Sequence, residues 1–478
     1  MDTTLAMDTA FTTSYSAEST SFSMNIPFAV AAQQQQDSAI KVLESRFRQL
    51  TDIEVWKHCI GMNHISNIPD FAREAANHII VVCLDCEHWS NNTEETTEVG
   101  IATFSRQDVV SLVNREDFGD FGEHLMQQVQ FYLLRMIETS HLPNQNPQSR
   151  GVLGNRFGKG RFVTFAQARQ IMHDLFVQPI KGVSGLKGNH PIVVLGHDVS
   201  HDKNNLKHKA IEFDMDPLGT VVRYIDTQVL AREGKCWNMP HKEQIGLKRL
   251  VENLWFEHSD PHTAANDAGR TLISAFQIGL GEHACRKHLK HRMLEVATDI
   301  EQYSVTNFKS IGGVEEYCWR CGQSGHMKSA CKATGLHCDE CKSNKCQLEP
   351  GEEHISAHCM CVAKDNAARR RERDALARAQ KKKRNKHDPR GDSSSDDHGR
   401  PHSRDKDHYH SFSPSQVSHS TKPNGQEDTH EGRRKQPWND IWREGPENGS
   451  NSNFGKRRGY RRGSGGGHSS RDGSDQSS

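Results

Sequence analysis

The sequence holds no run of about 18 apolar residues, so nothing in it reads as a membrane-spanning helix. Its Ser/Thr-rich start lacks a charged segment followed by an apolar one, so a secretory signal is not expected. Apolar residues make up only 34% and aromatics 7%, with a mean hydropathy of −0.78. That is too little for one uniformly packed body over 478 residues. Net charge is also absent, since 61 Lys/Arg balance 61 Asp/Glu. The balance is uneven along the chain: residues 362–478 carry 26 Lys/Arg against 17 Asp/Glu, which leaves the remainder acidic. An acidic body with a basic tail points to a polyanionic partner.

What is present falls into blocks. Residues 1–36 are polar, end in the run Gln33–Gln36, and read as disordered; 37–75 read as a helical lead-in, with Leu43, Phe47 and Leu50 at helical spacing. From 76 to 285 apolar runs alternate with amphipathic ones. His78–Leu84 reads as a buried strand, as do Val99–Phe104, Ile192–Leu195 and Val221–Ile225. Helices are expected on the face marked by Leu125, Val129, Leu133 and Met136, then over 162–176, 246–256 and 263–280. This alternation indicates a layered α/β domain with a core of its own. The stretch 105–164 has no clear place in it. Residues 286–315 read as a linker, 316–362 as a Cys/His-rich module and 363–478 as a disordered basic tail.

Three segments of the α/β block carry acids where strands and helices end. The first strand runs into Asp85-Cys-Glu87, and residues at i and i+2 of a strand share a face. Two carboxylates so close repel unless a cation neutralises them. A second strand leads through Gly196-His-Asp198 to Asp202, and His262 precedes Asp267 near the start of a late helix. Each has a plain structural reading on its own: an exposed strand end, an N-cap at Asp198, a solvated helix N-terminus.

Taken in order, the three resemble the motifs of the DEDDh family of 3′–5′ exonucleases, most closely an uncharacterised fungal branch with Trp soon after Asp-x-Glu, as Trp89 is here. The first motif matches Asp85 and Glu87. The second matches Gly196, His197 and Asp202, with Asp198 where Asn is usual; the third matches His262 and Asp267. Tyr224–Thr227 and Leu247–Leu250 look like the connecting strand and helix, so the resemblance spans 78–280. The sequence departs from the family at His88-Trp89, where Thr usually follows, and in the length of 105–164. The resemblance implies a ribonuclease H-like mixed sheet with flanking helices. It also implies two Mg²⁺ or Mn²⁺ ions held by Asp85, Glu87, Asp202 and Asp267, and His262 as the general base.

The segment Gly151–Arg161 is rich in Gly and basic residues but lacks the spacing of an NTPase phosphate loop. It reads as a flexible connector, with contact to a nucleic-acid backbone as the alternative.

Eight of the 13 cysteines lie between Cys318 and Cys361, interleaved with His, which argues for metal ligation instead of disulfides. Cys318, Cys321, His326 and Cys331 have the Cys-x2-Cys-x4-His-x4-Cys spacing of a tetrahedral Zn²⁺ site. They match the zinc-knuckle family in every ligand and in Gly322 and Gly325, and that resemblance places Trp319 and Met327 as base-stacking residues. Cys338, Cys341, His354 and Cys359 repeat the pattern with a longer inner loop, as a second Zn²⁺ site. Cys346, His358 and Cys361 are rival ligands, and spare cysteines around a single zinc are the alternative.

The runs Arg369–Arg371 and Lys381–Lys386 suggest nuclear import or nucleic-acid contact, with a solvated charge run and a cytoplasmic protein as the alternatives. Phe454–Gly463 interleaves aromatics with Arg-Gly, which favours RNA. The expected activity is metal-dependent 3′–5′ hydrolysis of single-stranded RNA or DNA. The rival expectations are an inactive RNA-binding adaptor on a nuclease scaffold and, more remotely, a mobile-element polyprotein fragment.

Overall fold

A computed structural model describes residues 39–144, 151–183, 186, 188–237, 243–256, 262–281, 289–346 and 352–386. Six strands form one mixed sheet: β1 (Ile80–Trp89), β2 (Asn92–Ser105), β3 (Gln130–Met136), β4 (Lys159–Val163), β5 (Ile192–Gly196) and β6 (Val221–Asp226). Their spatial order is β4-β3-β2-β1-β5-β6. The β1–β2 and β2–β3 pairs are antiparallel, and the β1–β5, β5–β6 and β3–β4 pairs are parallel. Central β1 explains its apolar sequence, because both of its faces are covered. Val81 and Cys83 face one core, and Ile80, Val82, Leu84 and Cys86 face the other, as a period of two requires.

Helices clothe both faces. They are α1 (39–48), α2 (Asp52–Cys59), α3 (Asp70–Asn77), α4 (Arg106–Asn114), α5 (Glu123–Met126), α6 (Phe165–Phe176), α7 (Val199–His208), α8 (Thr227–Glu233), α9 (Leu247–Asn253), α10 (Ala264–Leu280) and α11 (Met293–Thr306). The first core gathers α1, α2, α3, α10 and α11, and the second gathers α6 and α7. Every residue of α10 is buried, so the helix runs through the middle of its layer. The Trp56 indole N–H of α2 donates to the Ala275 carbonyl 2.6 Å away and locks α2 onto it. Thr51 and Thr164 complete capping boxes that start α2 and α6.

Four expectations are corrected here. The helix face marked by Leu125, Val129, Leu133 and Met136 is instead the end of α5 followed by strand β3. Both faces of β3 are buried, so its sequence shows no polar alternation, and apolar positions fell on a helical spacing by coincidence. The unplaced stretch 105–164 supplies β3 and β4, one edge of the sheet. The reading of 286–315 as a linker gives way to α11, whose Met293, Val296, Ala297 and Ile300 enter the main core. The Cys/His module holds α12 (Asp339–Ser343), and α13 (Met360–Lys386) runs from its end into the stretch read as a disordered tail. The lead-in helices, α1 and α2, belong to the same core as the sheet. Residues 1–36, the side chains of Lys381–Lys386 and the Arg-Gly segment 454–463 lie outside the described residues.

The Cys/His module adds a two-stranded ribbon, β7 (Tyr317–Cys318) with β8 (Gln323–Ser324). Among the described residues no helix is long and apolar enough to cross a membrane.

Candidate active site and Cys/His clusters

The C-terminal end of β1 presents Asp85 and Glu87, both half-buried, with buried Cys86 between them. Across the β1–β2 pair, Asp85 is opposite Gly100 and Glu87 opposite Glu98, and the register slips just beyond, at His88 and Trp89. Gly100 matters because the backbone at the start of α10 rests on it: a Cβ built there would lie 2.0 Å from the Ala264 carbonyl oxygen. The bare backbone at that point lets α10 carry Asp267 in against the strand that carries Asp85. Thr263 caps α10, accepting from the Asn266 N–H at 3.4 Å.

Glu87, His262 and Asp267 come together, with one ligand atom from each inside a mutual 4.8 Å. His262 Nδ1 lies 3.6 Å from Asp267 Oδ2. His262 has φ +45°, rare for a residue with a side chain, and precedes α10 instead of lying on it. Asp202, in the first turn of α7, is buried and accepts from the Cys86 N–H at 3.0 Å. Burial pushes its carboxyl well above the usual carboxylate range, with the charges of Asp198 and Asp226 adding to the push and the Cys86 N–H opposing it. Burial, then the charges of Asp202 and Asp85, with a further push from Glu87, drive the Cys86 thiol up as well. Asp85, Glu87 and Asp202 thus surround one buried residue. The donors are carboxylate oxygens with one imidazole, a chemistry suited to hard divalent cations.

Asp198 stands at the N-cap position of α7, but its exposed side chain makes no cap hydrogen bond and its φ is +67°. His197 turns to Thr227, with Nδ1 2.8 Å from Oγ1, and burial pushes it down to about 4. The departure at Trp89 has a structural role, because its ring is 1% exposed and packs with Leu142 and with Ala367 of α13. The Gly151–Arg161 segment is not a loose connector. The Asn266 amide donates to Gly154 O at 3.1 Å and its Oδ1 accepts from Arg156 N at 2.9 Å, while Gly158 N donates to Ser304 Oγ at 2.9 Å.

Two buried ion pairs escaped the reading of the sequence. Arg270 Nη1 is 3.1 Å from Asp267 Oδ1, and the i, i+3 spacing on one helix was the available signal. Arg135 Nη1 is 3.4 Å from Glu98 Oε1, whose other oxygen accepts from Ala264 N at 3.3 Å. No local pattern announces a pair that spans β3 and β2.

In the Cys/His module, ligand atoms of Cys318, Cys321, His326 and Cys331 lie within 4.8 Å of one another, and so do those of Cys338, Cys341, His354 and Cys359. Gly322 and Gly325 have φ of +75° and +86°, which the tight turn around the first cluster requires. Burial raises the Cys331 thiol, but the Ala333 N–H, His326, Cys318 and Cys321 together bring it down to about 6, towards the thiolate that binds metal. Of the rival ligands, Cys346 and Cys361 form an overlapping group with Cys341. His358 faces away, its Nδ1 2.7 Å from the Trp319 carbonyl oxygen.

Residues 80–278 match the DEDDh family model described as DNA polymerase III subunit epsilon-like, C-terminal domain. That range runs from the first residue of β1 almost to the end of α10, and so takes in Asp85, Glu87, Asp202, His262 and Asp267. No curated protein matches the chain.

Proposed function

We propose, on the premise of a DEDDh exonuclease-like domain at 80–278 and hence a nuclease-type function, that the chain is a metal-dependent 3′–5′ exonuclease of single-stranded nucleic acid, with RNA favoured. The observation that carries this reading is the meeting of Glu87, His262 and Asp267, from β1 and the entry to α10, with Asp85 two residues before Glu87 on β1 and the buried Asp202 bonded to the Cys86 N–H between them.

Asp85, Glu87, Asp202 and Asp267 would hold two Mg²⁺ or Mn²⁺ ions. Such a pair supplies an activated water and neutralises the attacking and leaving oxygens of an in-line displacement. His262 accepts the proton of the attacking water at Nε2, because Nδ1 faces Asp267. The water oxygen bonds to phosphorus, and the bond from phosphorus to the 3′-oxygen of the upstream nucleotide breaks. That oxygen takes a proton from solvent, and a nucleoside 5′-monophosphate leaves.

Cys318, Cys321, His326 and Cys331 would hold one Zn²⁺, and Cys338, Cys341, His354 and Cys359 a second. Trp319, Met327 and the basic tail would bind the strand, and the runs at 369–371 and 381–386 would bring the protein to the nucleus, which imaging of a fluorescent fusion tests.

One observation favours a second reading, an inactive RNA-binding adaptor: the buried Arg270 guanidinium takes an oxygen of Asp267 that a cation would use. Decay of a 5′-labelled single-stranded RNA and its DNA counterpart with Mg²⁺ or Mn²⁺ separates the two. A shortening ladder lost in Asp85→Ala supports the exonuclease. Tight binding with no ladder supports the adaptor.

A further inference from the structure

A groove of about 460 Å³ runs between the Cys/His module and the sheet domain. One wall is Trp319, Met327 and Lys328, from the loop that carries the first cysteine cluster. The other is Leu153, Leu142 and Arg135 of the sheet domain. Its volume lies in the range of small-molecule sites, about 300–1,000 Å³.

The two walls are fixed to each other. Phe162 of β4 and Val314 exchange two backbone hydrogen bonds, of 2.8 and 3.0 Å. The Phe162 and Tyr317 rings meet at 5.9 Å, and the His141 and His358 rings at 5.3 Å. Arg370 of α13 pairs with Glu94 of β2 at 3.0 Å, and Trp89, Leu142 and Ala367 share a small core. A module tied on by sequence alone would need none of these contacts.

The groove also adjoins the carboxylates. Arg135 in its wall binds Glu98, and Glu98 accepts the Ala264 N–H at the start of α10, three residues before Asp267. The charge of Arg135 also acts on Glu87. One polar chain, Arg135–Glu98–Ala264, therefore separates the groove from the cluster of Glu87, His262 and Asp267.

Its lining is of mixed chemistry. Leu153 stands 74% exposed at the tip of a loop that Asn266 staples to α10. Across from it are the half-buried Met327 and the Trp319 ring, with the Lys328 ammonium 4.6 Å from the ring centroid. Burial, with the charges of His358 and Arg135, pushes the neighbouring His141 down to about 4, and its Nδ1 has no protein partner. Apolar and aromatic surface beside the Lys328 ammonium is the combination that holds an unpaired base with its phosphate.

We propose that this groove is the subsite for a nucleotide upstream of the scissile bond: an unpaired base lies between Leu153 and the Trp319–Met327 face, with its phosphate towards Lys328. The proposal rests on the exonuclease reading and deepens it. The Cys/His module is then a wall of the substrate channel, and a strand too short to reach it gains nothing from it.

The test is steady-state hydrolysis by the full chain with Mn²⁺ on bis(p-nitrophenyl) phosphate and on single-stranded RNAs from a dinucleotide upward. Leu153→Glu, at an exposed position, is expected to raise KM for long strands roughly tenfold, with kcat little changed and the small diester turned over as by wild type. Trp319→Ala is expected to raise KM for the same long strands. Unchanged KM in both variants overturns the proposal, as does an equal loss by Leu153→Glu on the small diester and the long strand. Absence of turnover by wild type on every substrate defeats the exonuclease reading instead. The groove is then judged by fluorescence anisotropy of a labelled strand, where equal affinity of wild type and Leu153→Glu overturns it.

Discussion

Gly100 of β2 lies so close beneath Ala264 of α10 that a Cβ on it would fall 2.0 Å from the Ala264 carbonyl oxygen. Asp85 is the residue opposite Gly100 on β1. The distance between the first and third carboxylate motifs is therefore set by a backbone contact. Neither neighbour is a flexible side chain that could give way. Gly100→Ala is expected to lower stability by roughly 3 kcal/mol through overpacking and to cost more activity than stability alone accounts for. Urea unfolding and nuclease turnover on one preparation check this; full activity would show that α10 need not approach so closely.

Arg270 and Asp267 form a buried pair, and removing one partner of such a pair strands the other charge. Arg270→Met is expected to lose about 3 kcal/mol in the metal-free protein. Added Mn²⁺ is expected to restore more stability to the variant than it gives wild type, because the cation replaces the guanidinium. Equal Mn²⁺ shifts in thermal unfolding would place the cation away from Asp267.

His58 of α2 is 3% exposed, and burial, with the charge of Arg106, pushes it down to about 4. Above its ordinary value near 6.5 the ring is neutral both folded and unfolded, so pH has no leverage on it. Between 6.5 and about 4 only the unfolded chain takes up the proton, and stability falls by about 3 kcal/mol across that window. His58→Gln is expected to flatten this part of the stability–pH curve relative to wild type, measured by denaturant melts at stepped pH. Parallel curves for the two proteins would show that His58 titrates normally in the fold.

The two clusters of three cysteines and one histidine predict two zinc ions per chain by elemental analysis. Cys321→Ser and Cys338→Ser are each expected to lower the count to one. A count of one in wild type, unchanged by Cys338→Ser, would mean that the second cluster is a set of reduced thiols.

What the sequence revealed of this site was local. Asp85 and Glu87 were legible because a strand's period of two puts them on one face, and Asp202 and His262–Asp267 because each stands beside an apolar run. The first cysteine cluster was legible because ligand spacing within one short loop encodes its geometry. The pairs Glu98–Arg135 and Gly100–Ala264 were not, since each joins residues that only the sheet brings together. Strand β3 was misread because burial on both faces removes the polar alternation that marks a strand. Helix α11 is a different case: Met293, Val296, Ala297 and Ile300 carry a plain i, i+3, i+4, i+7 pattern.

The roles of Glu87 and His262 are tested by a single-turnover measurement on a 5′-labelled single-stranded RNA with Mn²⁺. It compares wild type, Glu87→Gln and His262→Ala, with thermal unfolding as a check on folding. Wild type is expected to lose nucleotides stepwise from the 3′ end. His262→Ala is expected to fall roughly 10²–10⁴-fold, the worth of a general base, and Glu87→Gln by a comparable or larger factor. Equal rates in all three folded proteins would contradict both roles and place any cleavage outside this cluster.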